Sequence, residues 1–201
     1  MKKGIIVVVI LGLLALIFYT QSGRESAEEY AAKIEEARVE KNEFMKTSSQ
    51  SPFLGSDMAF EPLKFFAPNP EFKVRAKIEV IESKSFLTLG TSTGQDEKYL
   101  KYAYASFELK GTPMKLLLLK KATGKKGEPV FTSFADDTSG DSTYGGGRYL
   151  DLEFKNARRI DIDFNLAYNP YCAYNGNFSC PLPPAENILT VAIEAGEKTF
   201  H

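Results

Sequence analysis

The chain has 201 residues, 43% of them hydrophobic and 25% charged, which is the composition of an ordinary globular protein with one core of normal size. The formal net charge is -1 at pH 7, and no basic stripe occurs, so we expect no nucleic-acid partner. The single histidine, His201, is the last residue in the sequence. Catalysis by Ser-His-Asp or Cys-His groups needs an imidazole held beside the nucleophile, so these mechanisms are excluded and enzymatic activity is left uncertain.

Residues 4–19 form an unbroken apolar run behind Lys2 and Lys3, the pattern of a signal peptide or a membrane anchor. As a helix the run would extend roughly 24 Å, somewhat less than a ~30 Å hydrocarbon core. No Ala-x-Ala cleavage pattern follows it. We therefore predict a membrane anchor at residues 1–21, inserted through residues 4–21, with a cleaved signal peptide and a secreted protein as the alternative. The two lysines place the rest outside the cytoplasm, in the periplasm or at the cell surface.

One amphipathic helix is predicted after the anchor. Ser26 and Glu29 form a capping-box pattern, and apolar residues then recur at helical spacing through about Lys46. The predicted apolar stripe consists of Tyr30, Ala31, Ile34, Ala37 and Phe44. Such a helix either covers an edge of the following domain or binds a partner. With the polar linker after it, this segment spans residues 22–56, and the domain spans residues 57–201.

From Phe72 onward the apolar period changes to two, which is typical of strands with one wet face. Residues 114–119 are apolar except for Lys115 and predict a strand buried on both faces. The strand-like runs are residues 72–80, 86–89, 99–109, 114–119, 130–134, 149–154, 160–164 and 188–193. Short turns and almost no helix separate them. We therefore predict a mainly β fold, an antiparallel sandwich or partly open barrel of about eight strands, preceded by a membrane helix and one amphipathic helix.

Both cysteines, Cys172 and Cys180, lie close together in the sequence and, by the orientation argument, outside the cytoplasm. We predict a structural disulfide, and two separate buried thiols are the alternative. Closing so small a loop would stabilise the fold by roughly 2.5 kcal/mol on the chain-entropy estimate. Two cysteines alone do not complete a structural zinc site, and a catalytic one usually takes histidine. We predict no metal and no cofactor.

Two polar segments are longer than simple connections require and are candidates for ligand binding. Residues 136–148 hold Asp136 and Asp137 and end in three glycines before Arg148, a suitable partner for a carboxylate or another anion. Residues 165–187 are rich in Tyr and Asn, which bury apolar area while offering directed hydrogen bonds. The candidate residues of this second segment are Asn165, Tyr168, Asn169, Tyr171, Tyr174, Asn175, Glu186 and Asn187.

The same residues also have a structural interpretation, because turns and irregular buried loops need such side chains to satisfy their own backbone groups. The ligand-binding hypothesis requires the two segments to lie side by side. It predicts a domain that binds a small ligand, a glycan or an envelope partner. Alternatives are a structural envelope protein and a hydrolase of envelope polymers that uses paired carboxylates, with Asp163, Glu186 and Asp136 or Asp137 as candidates.

Several motifs together resemble one family. They are Thr-Ser-Thr-Gly at 91–94, Asp-Thr-Ser-Gly at 137–140, Gly-Arg-Tyr at 147–149, Asp-Phe-Asn at 163–165, Pro-Tyr-Cys-Ala-Tyr-Asn at 170–175, Ser-Cys-Pro-Leu-Pro-Pro at 179–184, and Glu-Asn at 186–187. From about residue 30 to residue 198 the chain resembles a family of bacterial and archaeal proteins that carry a domain of unknown function. The resemblance implies a position behind a signal or anchor, and it implies no activity, ligand or site residue.

Overall fold

A computed structural model describes residues 25–54, 58–122, 129–153 and 158–200. The predicted membrane segment, residues 1–21, lies outside the described residues. Among the described residues, no helix combines the length and the apolar character needed to cross a bilayer.

The predicted amphipathic helix is α1, Ala27–Thr47, and its capping box is confirmed. The Ser26 hydroxyl accepts a hydrogen bond from the Glu29 amide at 3.1 Å, and the Glu29 carboxylate accepts one from the Ser26 amide at 2.9 Å. These two bonds satisfy amide donors that the first helical turn leaves without partners. The helix therefore begins where the sequence pattern predicts.

The buried stripe of α1 differs from the predicted one at its C-terminal end. Tyr30, Ile34, Arg38 and Met45 are buried, whereas Phe44 is 38% exposed, so its place in the stripe was wrong. At roughly 100° per residue, Met45 falls inside the arc between Tyr30 and Arg38, while Phe44 falls outside it. Arg38 is buried because its guanidinium stacks over the Phe65 ring, 4.8 Å from the centroid.

In the described part of the domain, one curled antiparallel sheet has six strands, in the order β5-β4-β3-β2-β1-β6. The strands are β1, Lys73–Gly90; β2, Asp96–Leu109; β3, Thr112–Lys121; β4, Val130–Phe134; β5, Arg148–Leu152; and β6, Arg159–Asp163. The mainly β class is confirmed, and of the two predicted architectures the partly open barrel is the observed one, as a curled half-barrel. The count of about eight strands was too high for two separate reasons.

The first reason is that two predicted strands are halves of the long β1. The pairing of β1 with β2 changes register between Val80 and Ser85, and the polar residues at this point form a bulge instead of a turn. A bulge leaves the extra residues unpaired and bends the strand without ending it. The polar interruption in the sequence therefore marks a bend in one strand.

The second reason is that the predicted last strand, residues 188–193, was wrong. Ile188 makes a single isolated parallel bridge to Ala135, and the residues after it pair with no strand in the described sheet. Leu189 and Ile193 are buried in the main core, at 5% and 0% exposure. The apolar residues of this segment are core contacts of an irregular chain, which a short apolar run cannot distinguish from a strand.

Both faces of the sheet centre carry apolar clusters. Leu116 and Leu118 of β3 belong to the main core, whereas Leu117 and Leu119 belong to a smaller cluster with Tyr99 and Leu89. Successive side chains of a strand point to opposite faces, so the two clusters lie on opposite sides. All four β3 leucines are fully buried, which confirms the predicted strand with two dry faces.

Candidate functional site

A groove of about 460 Å³ opens on the face of the smaller cluster. Residues from β2, β3, β4 and β5 line one side, and the segment that contains both cysteines lines the other. We call it the aromatic groove because six rings line it: Tyr99, Phe131, Tyr149, Tyr168, Tyr171 and Phe178. The carboxylates of Glu97 and Asp151 and the side chain of Lys121 are its charged groups.

Four of the rings form a continuous row across the strands. Tyr99 packs on Phe131 with centroids 5.4 Å apart, Phe131 on Tyr149 at 6.0 Å, and Tyr149 on Tyr168 at 6.0 Å. The interplanar angles are 66°, 47° and 70°, so each ring meets the next at a steep angle. Aromatic pairs prefer such tilted arrangements, and the row therefore holds its rings in defined orientations.

Three tyrosine hydroxyls at the groove have internal acceptors. Tyr99 donates to Glu97, Tyr168 donates to Asp151 at 2.9 Å, and Tyr149 donates to the carbonyl oxygen of Pro181 at 2.6 Å. Burial raises the pKa of each of these three hydroxyls above the usual value, so they stay protonated donors. Their donor capacity is therefore used inside the protein.

Two residues of the predicted site, Tyr168 and Tyr171, line the aromatic groove. Other lining residues were missed because they lie in strands: Glu97, Tyr99, Lys121, Phe131, Tyr149 and Asp151. Pro170 and Phe178 lie in the 165–187 segment but were not among its candidate residues. A signal for the strand residues exists, since Glu97 with Tyr99 and Tyr149 with Asp151 are spaced by two and share a sheet face. The sequence shows that each of these two strands carries an acidic residue and a tyrosine on one face. It does not show the strand order that brings the two pairs together.

Asp136 and Arg148 lie together in a different place. Their salt bridge is 2.8 Å long and both side chains are 0% exposed. The Arg148 guanidinium also donates to the carbonyl oxygens of Ile193 at 2.9 Å and of Ala195. The anion that Arg148 contacts is therefore a carboxylate of the same chain, and burial lowers the pKa of its guanidinium.

Asn165 is buried and holds α1 against the sheet. Its amide donates to the Tyr30 hydroxyl at 2.8 Å and to the carbonyl oxygen of Asn69 at 2.8 Å, and its oxygen accepts from the Asn69 amide at 2.8 Å. Tyr30 in turn donates to Asp163 at 2.9 Å. The helix thus packs on the domain, as the edge-cover interpretation predicts.

Asn169 and Tyr174 both contact Glu197, a buried carboxylate that the sequence analysis missed. Asn169 donates to it from its side chain at 3.0 Å and from its backbone at 3.2 Å, and the Tyr174 hydroxyl donates to it as well. Lys41 of α1 lies 3.2 Å from the same carboxylate, and burial lowers the pKa of this lysine. Four groups thus compensate one buried negative charge.

Asn187 fills a gap between β3 and β4, for which Leu119–Phe131 is the single pair within the described residues. Its oxygen accepts from the Leu117 amide at 2.7 Å. Its amide donates to the carbonyl oxygens of Leu117 at 3.0 Å and Ser133 at 2.8 Å. One side chain therefore supplies the hydrogen bonds that a continuous strand pairing would have made.

The other predicted residues lie nearer the surface. Asp137 is exposed, and Glu186 accepts from Lys101 and from the Tyr104 hydroxyl, both at 2.9 Å. Asn175 donates to the carbonyl oxygen of Pro52 at 2.9 Å. Within the described residues, no three His, Cys, Asp or Glu side chains are placed to hold a metal ion. Asp136, Asp163 and Glu186 each contact different partners, and the hydrolase alternative stays a prediction.

The two candidate segments lie side by side, as predicted. The Tyr144 hydroxyl is 3.7 Å from the Cys172 sulfur. Gly147, at a φ of +83°, packs so tightly on Pro183 that a Cβ there would come within 2.5 Å of the proline ring. A side chain at this position would therefore separate the segments or strain the backbone.

Cys172 and Cys180 lie close together, and the Cys172 amide donates to the Cys180 sulfur at 3.3 Å. The hydrogen bond from the Cys180 side chain lowers the pKa of Cys172 to about 6, whereas the contact raises the pKa of Cys180. The predicted disulfide stays a prediction, and the close approach of the two cysteines is compatible with it. Cys180 also lines the aromatic groove.

Comparisons with other proteins identify the family but no activity. A solution NMR structure of an uncharacterised protein from Haloarcula marismortui is similar, with 37% identity and a TM-score of 0.67. The match covers 86% of this chain and 95% of that protein. A search of functionally curated proteins finds no match. The family model described as a protein of unknown function, DUF1684, matches residues 58–198, so the chain belongs to this family.

Proposed function

We propose that this chain is a membrane-tethered, extracytoplasmic domain that binds a small ligand in the aromatic groove. The observation that carries the proposal is the groove itself. Its volume of about 460 Å³ and its mainly aromatic wall with a few polar groups are properties of small-molecule sites. The two carboxylates that share the groove offer directed contacts for a bound molecule.

In this proposal the ligand contacts Tyr168 and Tyr171 from the predicted set, together with Phe131, Tyr149 and Asp151. Six other predicted residues are assigned to holding the fold, because each is buried and bonded within the protein: Asp136, Arg148, Asn165, Asn169, Tyr174 and Asn187. A ligand could bind these residues only by displacing their partners. Each displaced partner would be left as a buried polar group without a hydrogen bond, which is unfavourable in free energy. Asp137, Asn175 and Glu186 contribute no surface to the groove.

The tether and the disulfide complete the proposal. Residues 4–21 anchor the chain in the membrane, with the positive-inside rule as support. In an oxidising compartment Cys172 and Cys180 join in a disulfide, supported by their contact of 3.3 Å between amide and sulfur. The bond would brace one wall of the groove.

The test uses the full chain in lipid nanodiscs and ligand-observed saturation-transfer NMR. The probes are N-acetylglucosamine, short peptides and organic ammonium ions, which represent the ligand classes that an aromatic groove accepts. We expect at least one class to bind, and Tyr171→Ala to abolish that binding. The matched control is Tyr104→Ala, because Tyr104 packs on the same smaller cluster without lining the groove.

If none of these probes binds, or if both tyrosine variants lose binding equally, the groove is not a ligand site. A structural envelope protein would then be the better account, since the extensive internal bonding of the two loops favours it. Thermal melting of both variants, followed by circular dichroism, verifies that each one is folded.

A further inference from the structure

We infer that the ligand of the aromatic groove carries a cationic ammonium group. This inference rests on the proposed binding function and names the chemical class that the groove accepts. Three properties support it: the charge of the groove, the hydrogen-bonding capacity that its residues leave open, and the chemistry of its rings.

The charge of the groove is negative. Glu97 and Asp151 line it, and no ion pair shorter than 4.0 Å involves either carboxylate in the part of the chain that the structure describes. Lys121 is the one cation among the described lining residues, and its side chain is exposed. The two carboxylates and Lys121 give the described lining a net charge of -1, and Lys41 from α1 also interacts with Asp151. A cationic ligand would therefore meet a net charge of opposite sign.

The hydrogen-bonding atoms of the groove that can still bind a ligand are mainly acceptors. The hydroxyls of Tyr99, Tyr149 and Tyr168 already donate to groups of the protein. Each carboxylate accepts one of these bonds and has lone pairs for more. A ligand must therefore bring donors or positive charge, and an ammonium group brings both. A neutral saccharide also needs donors from the protein, and few are free here.

The aromatic rings that line the groove are suitable for binding a cation. An ammonium group over the face of a tyrosine or phenylalanine is attracted by the ring quadrupole. The Tyr168 ring already holds the Lys41 ammonium 4.1 Å from its centroid. Phe131 and Tyr149, the next rings of the row, offer the same chemistry to a ligand. Their fixed tilts give the groove a wall that can contact more than one side of a small cation.

The test compares choline with 3,3-dimethylbutan-1-ol, which has the same shape without the charge, and with N-acetylglucosamine. Binding is measured by calorimetry and saturation-transfer NMR on the full chain in phosphatidylglycerol nanodiscs, whose headgroups carry no ammonium. We expect choline to bind about 10-fold or more tightly than the neutral isostere, because a desolvated cation–π contact beside a carboxylate contributes that much. We also expect added NaCl to weaken the binding of choline.

The variant pair Glu97→Gln with Asp151→Asn removes two charges from the groove while the amide oxygens still accept from the tyrosines. The control pair Glu79→Gln with Asp161→Asn removes two exposed charges elsewhere. We expect the first pair to lose about 10-fold in choline affinity and the second less than about 2-fold. Equal losses, or an unchanged affinity in the first pair, would overturn the inference.

Phosphatidylcholine nanodiscs distinguish two sources of the ammonium group. A weaker apparent affinity for free choline in them assigns the groove to lipid headgroups, whereas an unchanged affinity assigns it to a soluble ammonium compound. If N-acetylglucosamine binds more tightly than choline, and Tyr171→Ala removes that binding, the ammonium inference fails while the binding function stands. If no probe binds, both fail.

Discussion

Arg148 and Asp136 form a salt bridge of 2.8 Å in which neither side chain reaches solvent. Asp136 is also bonded to the Thr138 amide at 2.9 Å and to the Ile193 amide at 3.1 Å. The pair therefore joins the start of the 136–148 segment, its end and the irregular C-terminal segment around Ile193. Arg148 and Asp136 were predicted to contact a ligand, but in the structure they connect three parts of the fold.

We predict that Arg148→Met lowers the free energy of unfolding by about 3–5 kcal/mol, because it leaves the Asp136 carboxylate buried without a cation. Urea denaturation followed by circular dichroism measures the loss. Arg148→Met with Asp136→Asn should be more stable than Arg148→Met alone, since the uncompensated charge is then removed. A double variant that is no better than the single one would contradict this account.

The control for this prediction is the exposed pair Arg75–Asp161, which has the same 2.8 Å separation. Arg75→Met should cost no more than about 1 kcal/mol, because solvent screens the charges and replaces the lost bond. The comparison holds the distance constant, so a larger loss at Arg148 reflects the burial of its pair and the additional backbone bonds that the pair makes.

Asn187 gives a second prediction. Asn187→Ala removes the acceptor of the Leu117 amide and should lower the free energy of unfolding by about 2–4 kcal/mol, because several buried groups lose their partner. Hydrogen exchange at the Leu117 amide should become faster. Asn187→Asp keeps an acceptor for this amide, so the Leu117 amide should stay bonded. It also places a carboxylate against two carbonyl oxygens, so it should lower the free energy of unfolding at least as much as Asn187→Ala.

The third prediction concerns the cysteine pair. Treatment of the folded chain with oxidised glutathione should form a Cys172–Cys180 disulfide and release two reduced glutathione molecules. The product is detected as a loss of two hydrogen atoms in the intact mass. The bond should raise the free energy of unfolding by about 2.5 kcal/mol over the reduced protein. Mixed glutathione adducts on both sulfurs without an intramolecular bond would show that the pair does not close.

The fourth prediction follows from the lowered pKa of Cys172, about 6 in the reduced protein. Alkylation of Cys172 by iodoacetamide should rise with a midpoint near pH 6, because the thiolate is the nucleophile, while Cys180 reacts slowly up to pH 9. Peptide mapping by mass spectrometry measures both rates. Cys180→Ala should move the midpoint toward the ordinary thiol value of about 8.5, whereas Cys180→Ser should move it less, since a hydroxyl can still donate.

The same pKa shift links stability to pH in the reduced form. The folded protein holds the Cys172 proton less tightly than the unfolded chain, so this thiolate stabilises the fold above the ordinary thiol pKa. That contribution declines as the pH falls and is lost below about 6. Urea midpoints of Cys172→Ser should lack this dependence.

Several elements could be predicted from local sequence. The capping box of Ser26 and Glu29, the alternation in β2 and the dry run in β3 depend on contacts within a few residues, and all three are observed. The false strand at residues 188–193 shows the limit of that reasoning. A short apolar run has the same composition whether it pairs with a strand or only packs on a core.

The sequence by itself determined the helix start, the strand-like segments and the kinds of side chain that could form a site. Only the tertiary structure decided which of them meet, because strand order and register bring distant residues together without a trace in the local pattern. Glu97, Phe131, Asp151 and Tyr168 come from four separate segments and share one groove. Asp136 and Arg148 have charged side chains like Glu97 and Asp151, but they lie in the interior of the fold. There each buried charge needs a partner within the protein.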